Sequence, residues 1–187
     1  MPISLRLIVL LLTGVALAGC DRQKADAPQA PVAGAASDAD SGKGIDRSHK
    51  GQAAPATMFK NADGDETSIA GFAGKPVLVN LWATWCGPCV KELPTLAALD
   101  ANGGATRIVA ISQDDADQGT VDAFLKGKGI GRFAAFHDKD MALSSALGVQ
   151  ILPTTMLFDA AGKEVWRFTG DLDWTSAEAA KLLAEAK

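Results

Sequence analysis

Val77-Leu78-Val79-Asn80-Leu81-Trp82, followed after Ala83 and Thr84 by Trp85-Cys86-Gly87-Pro88-Cys89, is the stretch that sets the architecture. An apolar, β-branched run that breaks into Cys-x-x-Cys reads as a buried strand delivering two thiols to the first turn of a helix. Unpaired backbone N–H groups and the helix dipole favour a thiolate there. With two residues between them in one helical turn, the cysteines can close a disulfide or reopen it with little backbone movement. The pattern predicts a site of thiol-disulfide exchange. Cys86, at the helix start, is expected to be the attacking thiolate, and Cys89, one turn in and more buried, to resolve the mixed disulfide.

Working outward, Thr57–Lys60 and Asp65–Ile69 flank Asp63-Gly64 and suggest a small N-terminal β-hairpin extension. A helix is expected over 87–99, with Val90, Leu93, Leu96 and Ala97 at helical spacing and Pro94 as a kink. Arg107–Ser112 reads as a second buried strand, Thr120–Lys128 as a helix, Phe133–Phe136 as a short strand, and Met141–Leu147 as a helix stopped by Gly148. Thr154–Phe158 and Glu164–Phe168, joined through Asp159-Ala160-Ala161-Gly162, form the clearest hairpin, and Ser176–Ala186 a C-terminal helix. The fold class is α/β, a mixed central sheet with helices on both faces.

Not all 187 residues belong to that core. Residues 1–19 carry one charge, Arg6, then Leu7–Leu12 and a run of small residues, the pattern of an export signal too short to span a membrane. Leu17-Ala18-Gly19-Cys20 resembles the bacterial lipobox, which implies cleavage before Cys20 and lipidation of that cysteine. Asp21 resembles the residue that retains lipoproteins in the inner membrane. Residues 20–52 are rich in Ala, Pro, Gly, Ser and Asp, with Val32 and Ile45 as the only large aliphatics. Such a segment buries too little apolar surface to offset its ordering entropy, so it is expected to be a tether spanning roughly 30 Å. The domain is then 53–187. The chain's net charge of −4 divides into +1 for the signal, 0 for the tether and −5 for the domain, which argues against nucleic-acid binding.

The motif Trp85-Cys86-Gly87-Pro88-Cys89 resembles that of the thioredoxins, and Asn80–Cys86 followed by Cys89-Val90-Lys91-Glu92-Leu93-Pro94 is similar to the membrane-anchored TlpA/ResA-type thioredoxins. The resemblance covers essentially 55–187 and implies the thioredoxin fold. Typical thioredoxins carry a buried Asp where this chain has Asn80. In the ResA-type group a Glu three residues after the second Cys handles the proton instead, and Glu92 occupies that position. One helical turn suffices for Glu92 to face Cys89, although spacing alone also fits a solvated residue beside Lys91. Leu152-Pro153 matches the X-Pro bond that thioredoxin folds place in cis opposite the cysteines, which would let the Leu152 backbone bind a client peptide. The alternative is a trans proline opening an edge strand. Trp85, Gly87, Pro88, Leu152 and Pro153 make up the expected client-binding surface. Trp82 and Trp166 are expected in the core, and Trp174 fits either role.

The expected function is envelope thiol-disulfide oxidoreduction, mainly in the reducing direction, because Gly-Pro is the dipeptide of strongly reducing thioredoxins. The resemblance implies client proteins with disulfides, in cytochrome c maturation or copper-site assembly, and a membrane electron donor of the DsbD or CcdA kind. A Cu(I) metallochaperone holding its ion between the two thiolates is the rival reading, with Met156 as its one nearby extra ligand. An oxidase or isomerase role in the same fold is disfavoured by Gly87-Pro88. Zinc lacks a second ligand pair. No phosphate loop or hydrolase elbow is present, His49 falls in the tether and His137 in an expected loop, and neither cofactor nor resident metal is expected.

Overall fold

The computed structural model describes residues 44–130 and 132–186, so the signal segment, Cys20 and most of the expected tether lie outside the described residues. Among the described residues eight strands form one sheet: β1 (Gly44–Asp46), β2 (Phe59–Lys60), β3 (Glu66–Thr67), β4 (Val77–Trp82), β5 (Arg107–Ser112), β6 (Phe136–His137), β7 (Thr154–Phe158) and β8 (Glu164–Thr169). Their spatial order is β1-β8-β7-β4-β5-β6-β2-β3. β4 runs parallel to β5 and antiparallel to β7, with Leu81 between Ile111 and Thr154. Among the described residues four α-helices accompany the sheet: α1 (Gly87–Ala101), α2 (Gln118–Gly127), α3 (Ala142–Leu147) and α4 (Ala177–Leu183).

Every residue of β4 is buried, as an apolar run flanked by strands and covered on both faces requires. Its side chains alternate between two cores. Leu78 and Trp82 join Cys89, Leu93 and Leu96 of α1, Val121 and Leu125 of α2, Ala179 and Leu182 of α4, and Trp166 and Trp174. Val77, Val79 and Leu81 face Val109, Ile111, Met156 and Phe158 together with Leu143 and Leu147 of α3, Phe59 and Ile69. Asn80 shares the first of these faces by the same alternation, which directs a polar side chain toward α1.

The hairpin β2–β3 turns at Asn61–Asp65 and joins the sheet through Lys60 opposite His137. α1 runs through Pro94 to Ala101. Two expectations are corrected. Phe133–Phe136 is not one strand: Arg132–Ala134 is a 3-10 turn and the strand begins at Phe136, placing His137 in the sheet, buried, and not in a loop. Nor does the tether reach residue 52. Gly44–Asp46 pairs with Thr169–Arg167 as an added strand, and the chain stays on β8 through Gly51 N–H to Glu164 C=O (2.7 Å) and Glu164 N–H to Gln52 C=O (2.8 Å). This docking is made by backbone groups and an exposed Arg47–Glu185 pair (2.6 Å), so it needs no apolar periodicity and leaves none in the sequence.

Beneath this added segment lies a buried ion pair. Arg167 donates through Nε and Nη2 to the two oxygens of Glu164 (2.7 and 2.8 Å) and through Nη1 to the Leu147 carbonyl (2.8 Å), fixing the end of α3 where the chain turns toward Pro153. Removing one member leaves the other charge uncompensated, typically at a cost of about 3–5 kcal/mol. Arg167→Met is therefore expected to lower the unfolding free energy in urea by that order, and a variant with unchanged denaturation would contradict a structural role for the pair.

Candidate active site

α1 begins at the C-terminal end of β4, and Cys86 is its N-cap: the Cys86 sulfur accepts from the Cys89 amide at 3.3 Å. Cys86 and Cys89 are joined by a disulfide across a Cα separation of 5.3 Å. Cys86 is 6% exposed and Cys89 0%, so the order of access expected from their positions in the helix holds. Trp85 stands out at 68% exposure, and Gly87 and Pro88 are exposed beside it. Leu152-Pro153 is cis. Leu152 is half-buried and packs against the cluster that contains both cysteines, while Ile151 beside it is exposed. The chain thus gathers the thiol pair, an aromatic surface and the X-Pro segment into one region.

Glu92 is 3% exposed, not a solvated helix residue; the solvated neighbour is Lys91, paired with Asp171 at 3.5 Å. Three donors reach its carboxyl. Asn80 Nδ2 donates to Oε1 at 2.7 Å, and the Leu172 amide (3.2 Å) and Trp174 Nε1 (3.1 Å) both donate to Oε2. Asn80 also donates to Thr155 Oγ1 at 2.9 Å, tying α1, β4 and β7 together. Desolvation dominates the titration of this carboxyl and pushes it up to about 7 from 4.5, against the three donors, with Asp171 adding to the rise. A buried carboxyl that titrates near neutrality, one turn from a thiol, can both take a proton and return it.

A second buried carboxylate holds the approach to Cys86. Asp114, just past the end of β5, accepts from the Thr84 amide (3.0 Å) and from Ser112 Oγ (2.6 Å) at Oδ2, and from Thr84 Oγ1 (2.6 Å) at Oδ1. The Asp114 carbonyl accepts from His137 Nε2 at 2.8 Å, and Gln113 N–H reaches the Trp82 carbonyl at 2.8 Å. The loop Ala83-Thr84-Trp85 is therefore pinned to the tips of β5 and β6. Sequence reasoning missed Asp114 and Ser112 because their spacing carries no motif. The available signal was position: polar residues at the C-terminal end of a buried parallel strand, where α/β sheets place their sites. It also left Trp174 undecided and gave Asn80 no partner, although a polar residue inside an apolar strand demands one.

The redoxin family model matches residues 49–183. The chain is 32% identical over 123 residues to the thiol-disulfide oxidoreductase ResA of Bacillus anthracis, covering 65% of this chain and 70% of that protein. It is 39% identical over 100 residues to the thiol:disulfide interchange protein DsbE of Escherichia coli K12, covering 54% of this chain and 52% of that one. The crystal structure of a putative DsbE from Chlorobium tepidum superposes with a TM-score of 0.62 at 26% identity, covering 74% of this chain and 98% of that chain. The fold is thus thioredoxin-like.

Raising the Glu92 value in the folded state has a thermodynamic consequence. Between pH 4.5 and about 7 the unfolded chain releases this proton while the folded chain keeps it, so stability falls as pH rises across that window. The loss approaches about 3 kcal/mol once Glu92 is ionised in both states. Glu92→Gln is expected to flatten that slope in urea titrations of the oxidised protein taken at several pH values; an unchanged slope would assign it to another group.

Proposed function

The chain belongs to the redoxin family, whose relatives here are thiol-disulfide oxidoreductases, and we propose that it works in the bacterial envelope mainly as a reductant of protein disulfides. The observation that carries this reading is the Cys86–Cys89 disulfide at a helix N-terminus with buried Glu92 one turn behind it. Gly87-Pro88 supports the direction: thioredoxin lies near −270 mV, whereas the strong oxidant DsbA lies near −120 mV, a gap of about 7 kcal/mol for two electrons.

In the proposed cycle the Cys86 thiolate attacks one sulfur of a client disulfide, forming a mixed disulfide and releasing the first client thiolate. Glu92, ionised, takes the proton of Cys89. The Cys89 thiolate attacks the Cys86 sulfur, closing the internal disulfide and releasing the second client thiolate. Two electrons have passed to the client, and the two released thiolates are the reduced product. A donor dithiol, of the DsbD or CcdA kind, then reopens the Cys86–Cys89 bond, and Glu92 returns its proton. The client lies along Trp85, Gly87 and Pro88, with the Leu152 backbone beside cis-Pro153 offering strand-like hydrogen bonds that Pro153, lacking an N–H, does not contest. The cysteines of cytochrome c precursors or of copper-site assembly proteins are the proposed clients. Cys20 as lipid anchor and Asp21 as inner-membrane retention signal complete the reading, and the strand Gly44–Asp46 belongs to the folded domain they would hold at the membrane. The copper-carrier alternative draws no support from relatives named for disulfide chemistry.

The couple equilibrated with glutathione is expected to settle near the thioredoxin value; a potential close to that of DsbA would overturn the reducing direction. Cys86→Ser should abolish turnover of an insulin-type disulfide, and Glu92→Gln should slow it by about 10²-fold or more. Cys89→Ser should accumulate clients disulfide-linked to Cys86, whose identification tests the proposed client class.

A further inference from the structure

The loop after β8 is stitched to α1 at two successive turns. Trp174 Nε1 and the Leu172 amide reach Glu92, while the Trp174 amide donates to Thr95 Oγ1 at 3.2 Å, and that hydroxyl in turn donates to the Glu92 carbonyl at 2.7 Å. The Trp174 ring lies 9° from parallel to Trp166, with centroids 6.5 Å apart, and Trp166 is itself held by its Nε1 donating to the Leu182 carbonyl at 3.1 Å. The indole donor is therefore fixed by stacking, by its own backbone and by the C-terminal helix. Trp174 is 1% exposed.

A carboxylate offers about four lone-pair positions. Two donors meet Oε2, and one meets Oε1. We propose that Trp174 is a positioning residue for the proton carrier: together with the Leu172 amide it saturates Oε2, so that Glu92 takes up and gives back its proton at Oε1 alone. This rests on the reading of Glu92 as the group that exchanges a proton with Cys89. It adds that the oxygen used is selected from outside α1, by a side chain of the loop after β8. The step balances simply: the Cys89 S–H bond breaks, an O–H bond forms at Oε1, and Oε2 keeps its two N–H donors throughout. The other ionisable groups around Glu92 are Asp171 on the same loop, Lys91 paired with it, and the two thiols of the reduced protein.

Trp174→Phe keeps the stacked ring and deletes the donor. The test is the thiolate absorbance of the reduced protein followed against pH in the parent, Trp174→Phe, Glu92→Gln and the double variant. Losing one hydrogen bond to the ionised form is expected to move the Glu92-dependent inflection upward by about half to one pH unit. In the Glu92→Gln background Trp174→Phe is expected to move nothing. If Glu92→Gln changes the profile and Trp174→Phe does not, the positioning role is wrong while the proton carrier stands. The positioning role fails in the same way if Trp174→Phe shifts the profile as much in the Glu92→Gln background as in the parent. A profile indifferent to Glu92→Gln would remove the proton carrier and the positioning role with it. Should Trp174→Phe fail to fold, the parent decides: its Trp174 indole N–H resonance must titrate together with the Glu92 carboxyl carbon, and a flat indole signal across that titration overturns the proposal.

Discussion

Burying one carboxyl group is the constraint around which this domain is arranged. Glu92 sits on the buried side of α1, and it is tolerated there because β4 and the loop after β8 both send donors to it. The donors come from parts of the chain far apart in sequence: Asn80 from the central strand, Leu172 and Trp174 from the C-terminal third. Correct placement of the carboxyl therefore requires that β4, α1 and β8 be packed in register. A polar contact of this kind does little for net stability and much for uniqueness, because alternative packings would leave the carboxyl without partners.

The chemistry follows from the tension between burial and hydrogen bonding. Donors alone would keep Glu92 ionised, and burial alone would keep it protonated; the outcome, about 7, lies where the group can change state during a catalytic cycle. The cysteines a turn away occupy a complementary setting, with Cys86 at the polar end of α1 and Cys89 facing the core. In the proposed cycle, electron transfer at the sulfurs and proton handling by Glu92 are separated by a single helical turn, and Asp114 fixes the loop from which Cys86 emerges.

Much of this is legible in the amino-acid sequence, and what is not has identifiable causes. The strand Val77–Trp82, the helix that follows it, and the hairpin of β7 and β8 are readable because their apolar patterns reflect burial directly. Cys86, Cys89, Glu92 and Pro153 stand out through a local motif and a family resemblance. By contrast, β1 falls within the stretch expected to be tether, since a strand that docks by backbone pairing and leaves Ile45 exposed has no hydrophobic signature. The role of Trp174 and the network of Ser112, Asp114 and Thr84 depend on contacts between segments tens of residues apart, which neither periodicity nor spacing encodes. Burial of Glu92 lies between these cases: helical spacing allows it to face Cys89, but only the loop closing over it decides that it is dry.

The unanticipated strand at the sheet margin also bears on how the molecule keeps to itself. Without Gly44–Asp46, the Arg167–Thr169 end of β8 would present open amides and carbonyls, an invitation to intermolecular cross-strand association. With it, the outermost strand is three residues long and bears the Asp46 carboxylate, and the opposite margin ends in the two residues Glu66–Thr67. Short, charged outer strands of this kind blunt edge-to-edge pairing. That property suits the proposed anchoring at a membrane surface, where encounters between copies are frequent.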